Sequence, residues 1–240
     1  MVECPNLLIL SSIESSLDRL NEAAWSIRMM EDNYHQADQF RWSLNSFLRV
    51  IKEVIQILTM ELQNKPEILE CFKIEKARIH EDSFMKNLFK QRDFVVHQSM
   101  LKPASSGSVG FTRGKGLKLG IGMPINPLED SREAILKYIQ HVATDKDFLG
   151  ILYTEDDGGG EYTCVQREWR LDILPEHEII ELSASAWQVV GDIVYEVASR
   201  LGADIIKPEF ELADKNKFQF EIYHPDWIKE QLALAKTTLL

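Results

Sequence analysis

Cysteine is scarce in these 240 residues: Cys4, Cys71 and Cys164 are widely spaced and odd in number. With no CxxC pair, neither a disulfide framework nor a thiolate zinc site is expected, and the three suit isolated thiols in a reducing compartment. Long apolar runs are missing as well. The longest, Leu7 to Leu10 and Leu149 to Tyr153, fall far short of a membrane span. No basic region precedes an apolar stretch in Met1-Val2-Glu3-Cys4-Pro5, so no secretory leader is read there. Positive charge is in deficit, with 27 Lys plus Arg against 38 Asp plus Glu and a formal charge of −11. A large cationic surface that grips duplex DNA without sequence preference is therefore not expected. These absences leave an acidic globular protein, expected to be soluble and cytoplasmic with no membrane partner, and long enough to bury a sizeable core.

Several chemical signatures also fail. Six histidines, at 35, 80, 97, 141, 177 and 224, form neither an HExxH pair nor a Cys/His cluster, so no metal and no cofactor is expected. No G-x-S-x-G elbow supports a Ser-His-Asp hydrolase. Gly110-Phe111-Thr112-Arg113-Gly114-Lys115 is one residue short of a phosphate loop and lacks the Ser or Thr that would hold magnesium. The Asp156-to-Glu161 turn shares the composition of a calcium loop without its alternating oxygen ligands.

Helical periodicity dominates the first hundred residues. Leu10, Ile13, Leu17, Leu20, Ala24 and Ile27 recur at three- and four-residue steps, the stripe of an amphipathic helix. A second helix is expected from about Ala37 to Gln63. Its broad stripe of Phe40, Leu44, Phe47, Leu48, Ile51, Val54, Ile55, Leu58 and Leu62 calls for packing on two sides. Asn64-Lys65-Pro66 stops it, because a proline disfavours helix at the residue before it. A third helix is expected over about Lys76 to Met100, closed by Lys102-Pro103.

The character then changes. Six glycines between Gly107 and Gly122, with Arg113, Lys115 and Lys118 among them, read as a hairpin or long loop. Leu128 to Val142 reads as a short helix, Leu149 to Tyr153 and Tyr162 to Leu171 as two strands. Pro175 to about Leu201 reads as a helix with proline in its first turn and Gly202 as its C-terminal cap. Phe218 to Tyr223 reads as a strand, followed by a helix after Pro225. The fold class expected is mainly α: a four-helix up-down bundle with a small β-hairpin-containing insertion. Residues 1–103 supply the first part, 104–175 the insertion, and 176–240 the final helix and tail, in one compact domain overall. Charge is split unevenly, net −2 over residues 1–105 and net −9 over 106–240, so the helical half tolerates an anionic ligand better.

Near the end of the third helix stands Phe89-Lys90-Gln91-Arg92-Asp93-Phe94-Val95-Val96-His97. It resembles the signature of the HEPN superfamily, in which Arg is followed by Asn, Asp or His and, after four to six residues, by His. Arg28 to His35 and Arg170 to His177 have an allowed spacing too, but Met29 and Leu171 follow those arginines. The spacing alone arises about once by chance in such a composition, the spacing with the polar residue roughly a tenth as often. The resemblance covers residues 10–101 and, less fully, 176–202.

That resemblance implies a metal-independent endoribonuclease. A ribose 2′-OH attacks its neighbouring phosphate and leaves a 2′,3′-cyclic phosphate and a free 5′-OH. In the implied roles His97 is general acid or base, Arg92 neutralises charge on the phosphorane, and Asp93 orients one of them. Lys86, Lys90 and Lys102 are placed to add positive charge for RNA. On a straight α-helix, however, Arg92 and His97 lie about 140° apart and about 7.5 Å apart along the axis. A local distortion, or a second protomer, is needed to aim both at one phosphate, and the family is similar in commonly forming homodimers. Family habit also implies a defence or toxin–antitoxin setting with a cognate inhibitor. The alternatives are a non-catalytic HEPN-like dimerisation or binding module whose acidic second half meets a protein partner, and a glycine-rich anion site at Arg113 to Lys118. The plainest reading of the motif itself is Arg92 and Asp93 as helix-surface charges with His97 a capping cation near a helix C-terminus.

Overall fold

A computed structural model describes residues 5–97, 101, 103–113, 116–144, 150–155, 160–207 and 209–237. The chain is mainly helical, with one antiparallel sheet. In order it forms α1 (Pro5–Leu10), a 3-10 turn (Ser11–Ile13), α2 (Glu14–Asp32), α3 (Ala37–Glu61), α4 (Pro66–Glu81), α5 (Ser83–His97), β1 (Ala104–Arg113) and β2 (Gly116–Pro124). There follow α6 (Ser131–Thr144), β3 (Glu161–Leu171), β4 (Leu174–Glu178), α7 (Ile179–Arg200), α8 (Lys215–Phe218), β5 (Phe220–Tyr223) and α9 (Pro225–Thr237). No described helix is long and apolar enough to cross a membrane.

Two compact units emerge. The first takes Met1–Met30, Arg41–Leu101 and Ile179–Leu212. Its core is the stripe read from the sequence: Leu20 and Ile27 of α2 are buried with Leu44, Phe47, Ile51, Val54 and Leu58 of α3. The long helix α7 buries thirteen residues, among them Trp187, whose indole N–H donates to the Leu20 carbonyl at 2.8 Å.

The expected helix from Lys76 to Met100 is two helices. Asp82 adopts extended backbone (φ −60°, ψ 125°) and ends α4. Its carboxylate Oδ1 then accepts the Met85 amide at 2.9 Å, which satisfies an otherwise orphaned donor at the start of α5. Pro66 both follows the end of α3 and opens α4, since its missing N–H costs nothing in a first turn. The stretch beyond His97 to Met100 lies outside the described residues.

The second unit takes Glu31–Phe40, Lys102–Glu178 and Ala213–Leu240. Its sheet runs β2-β1-β3-β4, with β5 also on β3, every pairing antiparallel. The glycine-rich segment is thus a hairpin, β1 and β2, although Gly114 and Lys115 fall outside the described residues. One sheet face, carrying Val109, Val165 and Tyr223, packs against Ile135, Tyr138 and Ile139 of α6 and Ile228 of α9.

One strand expectation and one helix start need correction. Residues 151–155 are irregular, because side chains take the backbone donors a ladder would use: Ile151 N–H donates to the Tyr138 hydroxyl at 2.8 Å and Tyr153 N–H to Thr163 Oγ1 at 2.7 Å. Leu149 and Asp156 to Gly159 lie outside the described residues. Pro175 sits not in a helix but in β4, an edge strand that needs no donor there, and its carbonyl accepts from Arg170 at 2.6 Å. Helix α7 begins at Ile179, and it ends as expected, with Gly202 at φ +95°.

Candidate functional site

Positions 86, 90, 93 and 97 advance by four, three and four residues, so Lys86, Lys90, Asp93 and His97 share one stripe of α5. Lys86, Lys90 and His97 are exposed. Met85, Leu88 and Phe89 face inward and are buried. Arg92 belongs to that inward side, its side chain only 14% exposed. Helix α5 is unbroken from Ser83 to His97, so the distortion that would bring Arg92 and His97 together within one chain is absent. The two side chains keep the separation of about 140° that an α-helix imposes. Lys102 lies outside the described residues.

Asp93 is the hub. Its Oδ1 accepts a hydrogen bond from Lys52 Nζ at 2.7 Å and one from Arg92 Nη1 at 3.2 Å. The bond from Lys52, followed by that from Arg92, holds the Asp93 carboxyl below its usual range, so it is charged at neutral pH. Two cations meet one carboxylate, and the trio carries net charge +1. With Lys86 and Lys90 on the neighbouring turns, this end of α5 is locally basic although the chain is strongly acidic. Arg92 Nε is buried and makes no hydrogen bond among the described residues.

Lys52, on α3, gave no sign in the sequence, because the contact spans 41 residues and the whole of α4 lies between. Its ammonium also lies 5.7 Å from the centroid of the Phe89 ring. The His80 ring of α4 is 5.5 Å from that same centroid. Lys76, one turn before His80, donates to Thr59 Oγ1 at 3.1 Å. Partial burial, then the nearby Lys76 and Lys52, push the His80 imidazole below its ordinary value, so it is neutral at pH 7.

The second unit contains a polar cluster of another kind. Arg167 is fully buried and fans out to Ser105 Oγ (2.9 Å), the Glu129 carbonyl (2.8 Å) and the Asn126 carbonyl (3.3 Å). Its guanidinium stacks 3.8 Å from the centroid of Trp169, itself stacked on Phe40. His35 Nδ1 is 2.8 Å from Ser131 Oγ, both groups buried. Burial and the Arg167 charge lower the His35 imidazole to about 3. A serine and histidine so enclosed cannot meet a substrate; they tie the start of α6 to the turn before α3. Among the described residues no group of three or more His, Cys, Asp and Glu stands together as a metal site.

Of the tryptophans, Trp169 and Trp187 are core residues, whereas Trp25 and Trp42 are exposed. Comparison with protein-family models, with curated proteins and with solved structures finds no match for this chain.

Proposed function

We propose that this chain is a HEPN-like, metal-independent endoribonuclease that acts as a homodimer, its helical unit serving as the four-helix up-down bundle of that superfamily. The observation that carries the reading is the charge arrangement at α5. Asp93, which on sequence alone would repel RNA, is neutralised by Lys52 and Arg92, while Lys86, Lys90 and His97 share its exposed stripe. His97 takes the 2′-OH proton or protonates the leaving 5′-oxygen, and Arg92 from the second copy offsets the charge on the phosphorane. The division between copies follows from the unbroken helix, which cannot aim both groups at one phosphate. Further partners in this reading are RNA and a cognate inhibitor protein.

A second reading draws on the burial of Arg92. If the guanidinium serves only to staple Asp93 and Lys52 between α5 and α3, the chain is a non-catalytic HEPN-like binding or dimerisation module. The deciding experiment incubates purified protein with labelled single-stranded RNA in EDTA, beside Arg92→Ala and His97→Ala. Cleavage that both substitutions abolish, leaving cyclic-phosphate ends, is expected of the nuclease. No cleavage, or cleavage that survives both changes, sinks it.

A further inference from the structure

We infer that Lys52 and His80, which meet at the Phe89 ring where α3, α4 and α5 come together, form with Lys76, one turn before His80, a phosphate subsite for the RNA backbone beside the Arg92–Asp93 pair. The inference rests on the nuclease reading for the identity of its ligand, but its geometry does not depend on catalysis. Three helices contribute one face each. Lys52 comes from α3, Lys76 and His80 from consecutive turns of α4, and Phe89 from α5 supplies the floor, only 4% exposed. Both Lys52 and His80 lie within 6 Å of that ring, at 5.7 and 5.5 Å.

An ammonium has three donors, and the bonds to Asp93 and Thr59 use one each. Donors therefore remain for an anion on both lysines. Besides partial burial, the charges of Lys76 and then Lys52 hold the His80 ring below its ordinary value. Lys52 already has Asp93 as its counter-ion, whereas the bond that Lys76 makes to Thr59 is to a neutral hydroxyl, and a phosphate supplies the negative charge that matches it. A neutral imidazole donates one N–H to a phosphate oxygen, and it gains a second donor on protonation. Binding of the anion therefore draws a proton onto His80, since an adjacent negative charge favours the charged ring. From this junction the exposed stripe of Lys86 and Lys90 on α5 continues the basic track, so the subsite takes a phosphate neighbouring the scissile one.

The probe is inorganic phosphate, titrated into the full chain in EDTA at low ionic strength, with the imidazole resonances of all six histidines followed by NMR. The expected result is a saturable shift of His80 and a rise in its titration midpoint, larger than for the exposed His177 and His224. Lys76→Met should weaken that binding at least about fivefold, and Lys76→Arg should restore it, because a guanidinium also binds phosphate. For RNA, Lys76→Met should lower the salt-dependence slope by about 0.7, the increment of one phosphate contact to a single strand. The inference is overturned if His80 moves no more than His177 and His224, or if Lys76→Met binds phosphate as the wild type does. Phosphate binding at His80 with uncut RNA would leave the subsite standing and remove the nuclease. Cleavage of RNA with His80 unmoved by phosphate would do the reverse.

Discussion

Acid should destabilise this protein through one residue, His35. Its ring is nine-tenths buried, bonded through Nδ1 to Ser131 Oγ at 2.8 Å, and faces the buried Arg167 guanidinium. The same nitrogen is 4.0 Å from Glu221 Oε2, but burial raises that carboxyl as well, so it neutralises as acid is added and gives little support. The imidazole titrates near 3 in the folded chain against 6.5 in a model peptide. Between those values the unfolded chain holds a proton that the folded chain does not, so stability is fully present above pH 6.5 and is lost as pH falls towards 3. At about 1.4 kcal/mol per pH unit, the loss from His35 alone is about 2 kcal/mol at pH 5 relative to pH 8. Urea unfolding at pH 8, 7, 6 and 5 measures it. The fluorescence of Trp169 is the natural probe, since its indole N–H donates to the carbonyl of neighbouring Tyr34 at 2.9 Å. His35→Asn keeps a polar atom near the Nδ1 position and cannot titrate. The variant should be weaker at pH 8 for want of the ring, yet its stability should fall about 2 kcal/mol less than that of the wild type on going to pH 5. Parallel pH profiles for the two proteins would refute the buried neutral ring.

Three further outcomes are expected. Arg167→Met should destabilise by on the order of 2 kcal/mol in urea melts, because it removes the buried guanidinium's bonds to Ser105 Oγ and to the Glu129 carbonyl; a loss below about 0.5 kcal/mol would contradict that fan of bonds. Gly107→Ala should cost on the order of 1–3 kcal/mol, since a Cβ there would stand 2.1 Å from the Gln166 carbonyl oxygen of the next strand and 2.6 Å from Ile125 Cδ1; an unchanged thermal midpoint would mean that β1 and β3 are spaced differently. Asp93→Asn removes a half-exposed ion pair and should change stability by less than about 1 kcal/mol. RNA affinity, read by fluorescence anisotropy, should rise in that variant at low salt, and a fall would show that the carboxylate is needed to position Arg92.

What the sequence made legible was whatever depends on local pattern. The stripe of α3 from Phe40 to Leu58 is apolar at helical spacing and is buried. The glycine-rich hairpin and the strand from Tyr162 to Leu171 carry their own turn and alternation signals. Misreadings occurred where two local rules competed or where a partner lay far away. Asp82 interrupts an apolar stripe that otherwise runs on from α4 into α5, and only its bond to the Met85 amide shows that it caps one helix as it ends another. Pro175 fits a helix's first turn and an edge strand equally well, and pairing with β3 decides for the strand. Residues 151–153 are apolar and β-branched or aromatic in part, as a short strand is, but Tyr138 and Thr163 intercept their amides. At the candidate site, Lys86, Lys90, Asp93 and His97 could be placed on one helix face by counting. Lys52 and His80 could not, because nothing local ties them to Arg92.

The distance over which charge acts explains why an acidic protein can still be read as an RNA-directed one. At physiological ionic strength the screening length is about 8 Å, so a phosphate docking at α5 responds to neighbours within a turn or two and little to the rest of the chain. The formal charge of −11 is a sum over 240 residues, and most of the excess lies beyond residue 105. Within reach of Asp93 stand Lys52, Lys90 and Arg92, and past them Lys76 and Lys86. One carboxylate among those cations does not cancel the patch; it fixes the orientation of two of its members through hydrogen bonds at 2.7 and 3.2 Å. On the nuclease reading the remaining acidic surface would act as a selector, repelling RNA that approaches elsewhere. It would leave the α3–α4–α5 junction as the proposed landing point, an effect that would fade as added salt screens both contributions.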